Sequence, residues 1–105
     1  MGRVINISDK FDTTPTKITL GEKEYVVSDS VSTMTKFQQL VVVEATKDAM
    51  IEALKIALGG DAVKELNVED ISYKNFKVLV TAVFAAIMDI DYEDADARFQ
   101  NAQQG

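Results

Sequence analysis

The spacing of apolar positions changes along this chain, and each change predicts a new element. In KITLGEKEYVVS, residues 17–28, Ile18 and Leu20 flank Thr19 in period two, Gly21-Glu22-Lys23 turns the chain, and Tyr25 to Val27 return. That pattern predicts a β-hairpin with a loop of three to five residues, in which Gly21 is free to take positive φ. A lone two-stranded hairpin is marginal in water, so this one must lie on a helix or add to another strand. From Ser30 the period lengthens. Met34, Phe37, Leu40 and Val41 share one helical face behind a cap at Ser30 or Ser32, and helical phase extends over 31–58. Leu40 to Val43 is richer in β-branched residues than a helix prefers, which leaves helix and strand both open there. Thr46-Lys47-Asp48 marks either a break or the polar face of one longer helix. Met50, Leu54, Ala57 and Leu58 then stay in phase up to Gly59-Gly60, a C-terminal stop.

Asp61 is expected to cap a short helix over 61–66, residues 67–70 form a linker, and Ser72 caps the most apolar stretch, SYKNFKVLVTAVFAAIM, over 72–88. Between Lys77 and Asp89 no residue is charged. The run is too short to cross a bilayer, which takes about 20 apolar residues. It is also too uniformly apolar for a surface helix with one wet face. Phe76, Leu79, Val80, Val83 and Ile87 line one side, while Val78, Phe84 and Met88 widen the apolar arc around it. Either the domain wraps this helix completely, or another chain covers its second side. A last helix is predicted over 91–99, with Tyr92, Ala95 and Phe99 on one face, before a frayed tail at 100–105.

Residues 1–16 hold Val4, Ile5 and Ile7, but SDKFDTTPT is loop chemistry, so a flexible arm is preferred to a docked strand. The order of elements predicts an α+β fold, mostly α-helical. Its N-terminal β-hairpin is followed by three to five helices around a central apolar helix, in a single compact domain over 17–99.

Composition narrows the chemistry. Seventeen acidic residues against eleven basic ones give a net charge of −6, a surface that repels phosphate backbones and argues against nucleic acid as a partner. With neither Cys nor His, the chain has no thiolate, no imidazole base and no usual zinc ligand. The N-terminus has no apolar signal-peptide core, and Asn6 stands where a myristoylation signal wants Ser or Thr, so a cytoplasmic location away from membranes is expected.

Asp89, Asp91, Glu93, Asp94 and Asp96 imitate the start of a calcium loop, but Asp94 occupies the position that needs glycine and Gln100 the position that needs glutamate. Acids gathered where one helix ends and the next begins are better explained by the helix dipole. Ser28, Ser30 and Ser32 lack a histidine base and read as caps, and Gly59-Gly60-Asp61 lacks the spacing of a phosphate cradle. No enzyme, cofactor or metal is expected. What remains is surface for protein, with Val78, Phe84, Met88, Tyr92 and Phe99 as candidate binding residues.

The hairpin pattern I-x-L-G-x-K-x-Y (Ile18, Leu20, Gly21, Lys23, Tyr25) precedes a helix ending in Leu58-Gly59, an apolar helix and an acidic C-terminal segment. Over residues 17–99 this layout resembles the small tail assembly chaperones of long-tailed bacteriophages and prophages of Gram-positive hosts. The resemblance implies a non-catalytic assembly factor that binds apolar helices of the tape measure protein and assists tail tube polymerisation. It further implies work in the host cytoplasm and absence from the finished virion. The tape measure and tail tube proteins are then the expected partners, with a homo-oligomer possible; the lead before the hairpin is longer than the family suggests. Two other readings stay open: a structural virion component, such as a head–tail connector or tail terminator subunit, and an acidic regulatory protein that binds a basic host partner.

Overall fold

The computed structural model describes residues 2–104, with side chains through Gln100. It is α+β and mostly helical: one antiparallel hairpin is followed by five α-helices. Met1 of the N-terminal arm and Gly105 of the tail lie outside the described residues.

Strands β1 (Thr16–Leu20) and β2 (Lys23–Val27) pair with Ile18 opposite Tyr25. Leu20 pairs with Lys23, so the loop is only Gly21-Glu22, tighter than the predicted three to five residues. Gly21 makes this possible at φ +64°, because a two-residue hairpin turn needs a positive φ that matches the twist of the strands. Tyr25 and Val27 are buried and Ile18 half-buried, whereas Lys17, Thr19, Glu24 and Val26 face outward. The hairpin's inner face thus rests on helices, and no third strand joins it among the described residues.

Helix α1 (Val31–Gln38) starts at Ser30, whose Oγ accepts the Thr33 N–H at 3.1 Å. The chain then continues without a break into a wider π-helical turn, Gln39–Glu44. Leu40–Val43 is therefore helical and not a strand, yet it is not regular α-helix. Ala45 N–H donates to Leu40 O at 3.0 Å, a bond spanning five residues. Crowding among consecutive β-branched side chains is relieved by widening the turn. Ala45 ends it in the left-handed region at φ +56°, and Thr46 caps α2 (Lys47–Leu58) by accepting the Ala49 N–H at 3.1 Å. The chain thus breaks at Ala45-Thr46, and Lys47 and Asp48 already belong to α2.

Gly59 separates α2 from α3 (Gly60–Leu66) at φ +93° and ψ +154°, a region open essentially to glycine alone. Asp61 does not cap α3. The helix begins one residue earlier, which places Asp61 inside the first turn, where its carboxylate faces the dipole. After a turn at 67–70 that buries Val68, α4 (Tyr73–Met88) begins at Ser72, whose Oγ accepts the Asn75 N–H at 3.1 Å. Its end is a Schellman motif with Asp89 at φ +56°: Asp89 N–H donates to Ala86 O and Ile90 N–H to Ala85 O at 3.1 Å. Helix α5 (Tyr92–Gln104) runs past the predicted end at Phe99. Gln100 to Gln104 contains no glycine or proline, and its Ala and Gln, good helix formers, outnumber the less favourable Asn101.

The core forms where these elements meet α4. Phe37, Leu54, Val41 and Val83 are the largest of its fully buried side chains. Phe84 stands between Phe37 and Phe99, with ring centroids 6.2 and 4.8 Å away. Side ties hold the hairpin in place. Ser28 N–H donates to Ala57 O at 2.8 Å, and Lys23 pairs with Glu65 of α3.

Candidate protein-binding surface

The five candidate residues separate in space. Phe84 and Phe99 are buried, 3% and 8% exposed, in the aromatic stack with Phe37, so neither reaches a partner from the folded domain. They are core residues. The physical reason is that α1 and α5 close over the side of α4 that the sequence leaves open. Met88 is half-buried against Gln38, whose amide Nε2 approaches its sulfur at 3.9 Å. Only Val78 (46% exposed) and Tyr92 (38%) stand on the surface.

Those two come together. Val78 on α4 and Tyr92 on α5 line one shallow hollow of about 330 Å³, with Tyr73, Lys74, Lys77, Thr81 and Asp96 around them. Residues 73, 77, 78 and 81 share this side because three- and four-residue steps bring side chains onto one helix face. Tyr73 is 70% exposed, and the Lys77 ammonium lies 5.7 Å from its ring centroid, within cation–π range. Thr81 satisfies its buried hydroxyl internally by donating to Lys77 O at 2.7 Å, so the hollow's floor presents no unpaired polar group from that residue.

Tyr73 also borders a second hollow, of about 350 Å³, between α2 and the start of α4. Its floor is apolar, from Met50, Ile51, Ile71 and Phe76, and its rim carries Lys47 and Glu69, whose charged atoms are 3.8 Å apart. Ile51, Val68 and Glu69 are shared in turn with a wider depression of about 800 Å³ between α2 and α3, walled by Asp48, Glu52 and Asp70 and by Lys55 and Lys64. One side of the molecule therefore carries adjoining shallow depressions with apolar floors and charged edges. Such surfaces suit an apolar helical stripe better than a small molecule, which needs an enclosed pocket.

Sequence reasoning missed Tyr73, Met50, Ile51 and Ile71. Tyr73 carried a usable signal, an aromatic four residues before Lys77 on the exposed start of a helix. Ile71 and Ile51 carried none, since only the turn at 67–70 brings them together.

The acidic cluster divides between two helix ends, and only its members in the first turn of α5 are favoured by the dipole. Asp89 terminates α4, Glu93 and Asp94 occupy the first turn of α5, and Asp96 is drawn into the Val78–Tyr92 hollow. Among the described residues, His, Cys, Asp and Glu form no group of three or more placed to hold a metal ion. Glu65 is held below the usual carboxylate range by the hydrogen bond from Lys23, aided by its charge, and Lys23 is raised by the same partner. This pair serves the hairpin and lies apart from the hollows. Comparison with family models, curated proteins and solved structures finds no match to the chain.

Proposed function

We propose that the protein is a non-catalytic tail assembly chaperone of a long-tailed phage, which binds apolar helical segments of the tape measure protein and assists polymerisation of the tail tube in the host cytoplasm. The observation that supports this reading is the exposed strip Tyr73–Val78–Tyr92, whose side chains line one open hollow beside Lys74, Lys77 and Asp96. A tape measure protein presents long apolar helical stripes before the tube encloses it. A factor that shields them temporarily needs a shallow, open surface, because a deep pocket would hold too tightly for tube subunits to displace it. The net charge of −6 keeps the complex soluble and away from DNA. Among the described residues no helix is long and apolar enough to cross a membrane.

Co-expression with a helical tape measure fragment tests the proposal. The fragment is expected to stay soluble with the native chain and to precipitate with Tyr73→Asp or Val78→Asp, both exposed positions whose change leaves the fold intact. If the fragment is no more soluble with the native chain than without it, the reading is wrong.

A further inference from the structure

The hollow between α4 and α5 is charged against the rest of the molecule. Its lining sets Lys74 and Lys77 against the carboxylate of Asp96, a local balance of +1 on a chain of net charge −6. Asp96 is already engaged, since its Oδ2 accepts the Gln100 amide at 3.2 Å. The two lysines are not. Among the described residues, lysine ion pairs form at Lys17, Lys23 and Lys47, and none forms at Lys74 or Lys77. Lys77 stands over the Tyr73 ring instead, which keeps its ammonium at the border of the apolar strip. Lys74 lies in the first turn of α4, a turn without any acidic residue. A cation there opposes the helix dipole, so its charge does nothing for α4 itself.

The neighbouring hollows have other balances. Lys47 and Glu69 pair at the rim of the one between α2 and α4. The wider depression between α2 and α3 sets Asp48, Glu52, Glu69 and Asp70 against Lys55 and Lys64. Of these three hollows, only the one at the Tyr73–Val78–Tyr92 strip has an excess of cations.

Resting on the reading that this strip takes an apolar helix, we propose that the helix it takes has acidic flanks. The apolar stripe of that helix lies on Tyr73, Val78 and Tyr92, and glutamates or aspartates beside the stripe pair with Lys74 and Lys77. Local charge selects the partner here, against the sign of the whole chain. At physiological salt a charge is screened over about 8 Å, whereas the molecule is 36 Å across in its middle dimension. Acids on its far side are therefore screened from the docked helix, and the two rim lysines are not. A helix with basic flanks would set like charges against Lys74 and Lys77, which disfavours it.

Two synthetic helices with the same leucine stripe, one flanked by glutamate and one by lysine, test this by fluorescence anisotropy against the full chain at physiological salt. The glutamate-flanked helix is expected to bind about fivefold tighter, the size that two solvent-exposed ion pairs supply. The double variant Lys74→Glu, Lys77→Glu is expected to reverse the order. Its circular dichroism should not change, since both positions are exposed and a carboxylate in the first turn of α4 suits the dipole. Equal binding of the two helices, or tighter binding of the lysine-flanked one, overturns the inference and leaves the docking of apolar helices standing. A glutamate preference that survives the double variant overturns it too. If neither helix binds, the docking reading falls and the inference with it. A native chain that light scattering shows to be a dimer, separated by the double variant, also overturns it, because a second copy then covers the strip.

Discussion

The two halves of α4 are made from one continuous helix and live in opposite surroundings. From Val80 to Ile87 the helix is covered on most of its circumference: Val80, Thr81, Val83, Phe84, Ala85 and Ile87 are all buried, and the residues between them are alanines. From Tyr73 to Val78 only Phe76 is buried, and Tyr73 and Val78 face outward. What separates the halves is how closely their neighbours cover them. The hairpin, α1, α2 and α5 all pack against α4, yet around Tyr73 and Val78 they leave only a shallow hollow, bordered by Tyr92 and Asp96 of α5. One helix thus does two tasks in succession: its apolar C-terminal turns close the core, and its N-terminal turns, which carry Lys74, Asn75 and Lys77, leave Tyr73 and Val78 exposed.

The largest effect that could break this contrast is at Phe84. Phe84→Asp removes an aromatic side chain from between Phe37 and Phe99 and puts an unpaired carboxylate there. Losing the ring alone costs about 3–5 kcal/mol, and the buried charge adds to that. A domain of this size has about 5–15 kcal/mol in total. The variant is therefore expected to lose helical circular dichroism at room temperature. A folded variant that merely changes its association would show that this side of α4 is an interface after all.

Next in size is Gly59→Ala. No heavy atom lies within 4 Å of the added Cβ, so the change tests backbone conformation alone. At φ +93° and ψ +154° a side chain costs of order 1–3 kcal/mol. The turn that follows α3 meets the start of α4 at Val68, beside Tyr73 and Phe76, so binding should weaken along with the melting temperature. Asp89→Gly acts in the opposite direction. It relieves a non-glycine residue at φ +56° and removes an acid from a helix C-terminus, where the dipole disfavours it. Stabilisation of about 1 kcal/mol is expected in chemical denaturation, without change at the exposed half. A destabilised Asp89→Gly would show that the carboxylate has a partner.

Smaller again is the tie between hairpin and α3. Glu65 titrates lower in the folded chain than in the unfolded one, so its contribution is complete above the ordinary glutamate range and is lost as pH falls through the depressed value. Lys23 titrates higher, so its contribution is complete below the ordinary lysine range and is lost as pH rises through the elevated value. The melting difference between the native chain and Lys23→Met should therefore be flat near neutrality and shrink in acid. Both groups are largely exposed, which keeps the difference small and salt-sensitive. A difference that varies near neutral pH would point to another titrating partner.

Much of this was legible because local chemistry and tertiary packing agree. Ser72, Gly59 and the period-two hairpin each mark an element by a backbone requirement that no distant residue alters. Two features were not legible. Consecutive valines at 41–43 signal conflict with an α-helix, but a strand and a widened helical turn both resolve it, and the choice depends on Val41 reaching the core. The fate of Phe84 depends on Phe37 and Phe99, far away in the chain, and nothing in a helical period records which face a remote aromatic will cover. Surface position was legible only where exposure was local: Val78 and Tyr92, singled out as candidates, line one hollow, whereas Ile51 and Ile71 in the neighbouring one were not singled out.

The smallest effect on stability is the most informative about the contrast. Val78 lies two residues before Val80, and by composition the two are interchangeable. Val80 is 3% exposed and Val78 46%. Val78→Asp places a charge where water already reaches and where Lys74 and Lys77 stand nearby, so the unfolding free energy should change by no more than about 0.5 kcal/mol. The same carboxylate, in the centre of the Tyr73–Tyr92 strip, makes docking of an apolar helix require its desolvation. Stability and binding should then separate completely: an unchanged denaturation midpoint with lost co-solubilisation of the helical fragment. If Val78→Asp instead melts the domain, the N-terminal half of α4 is core like the rest, and the two halves differ in degree only.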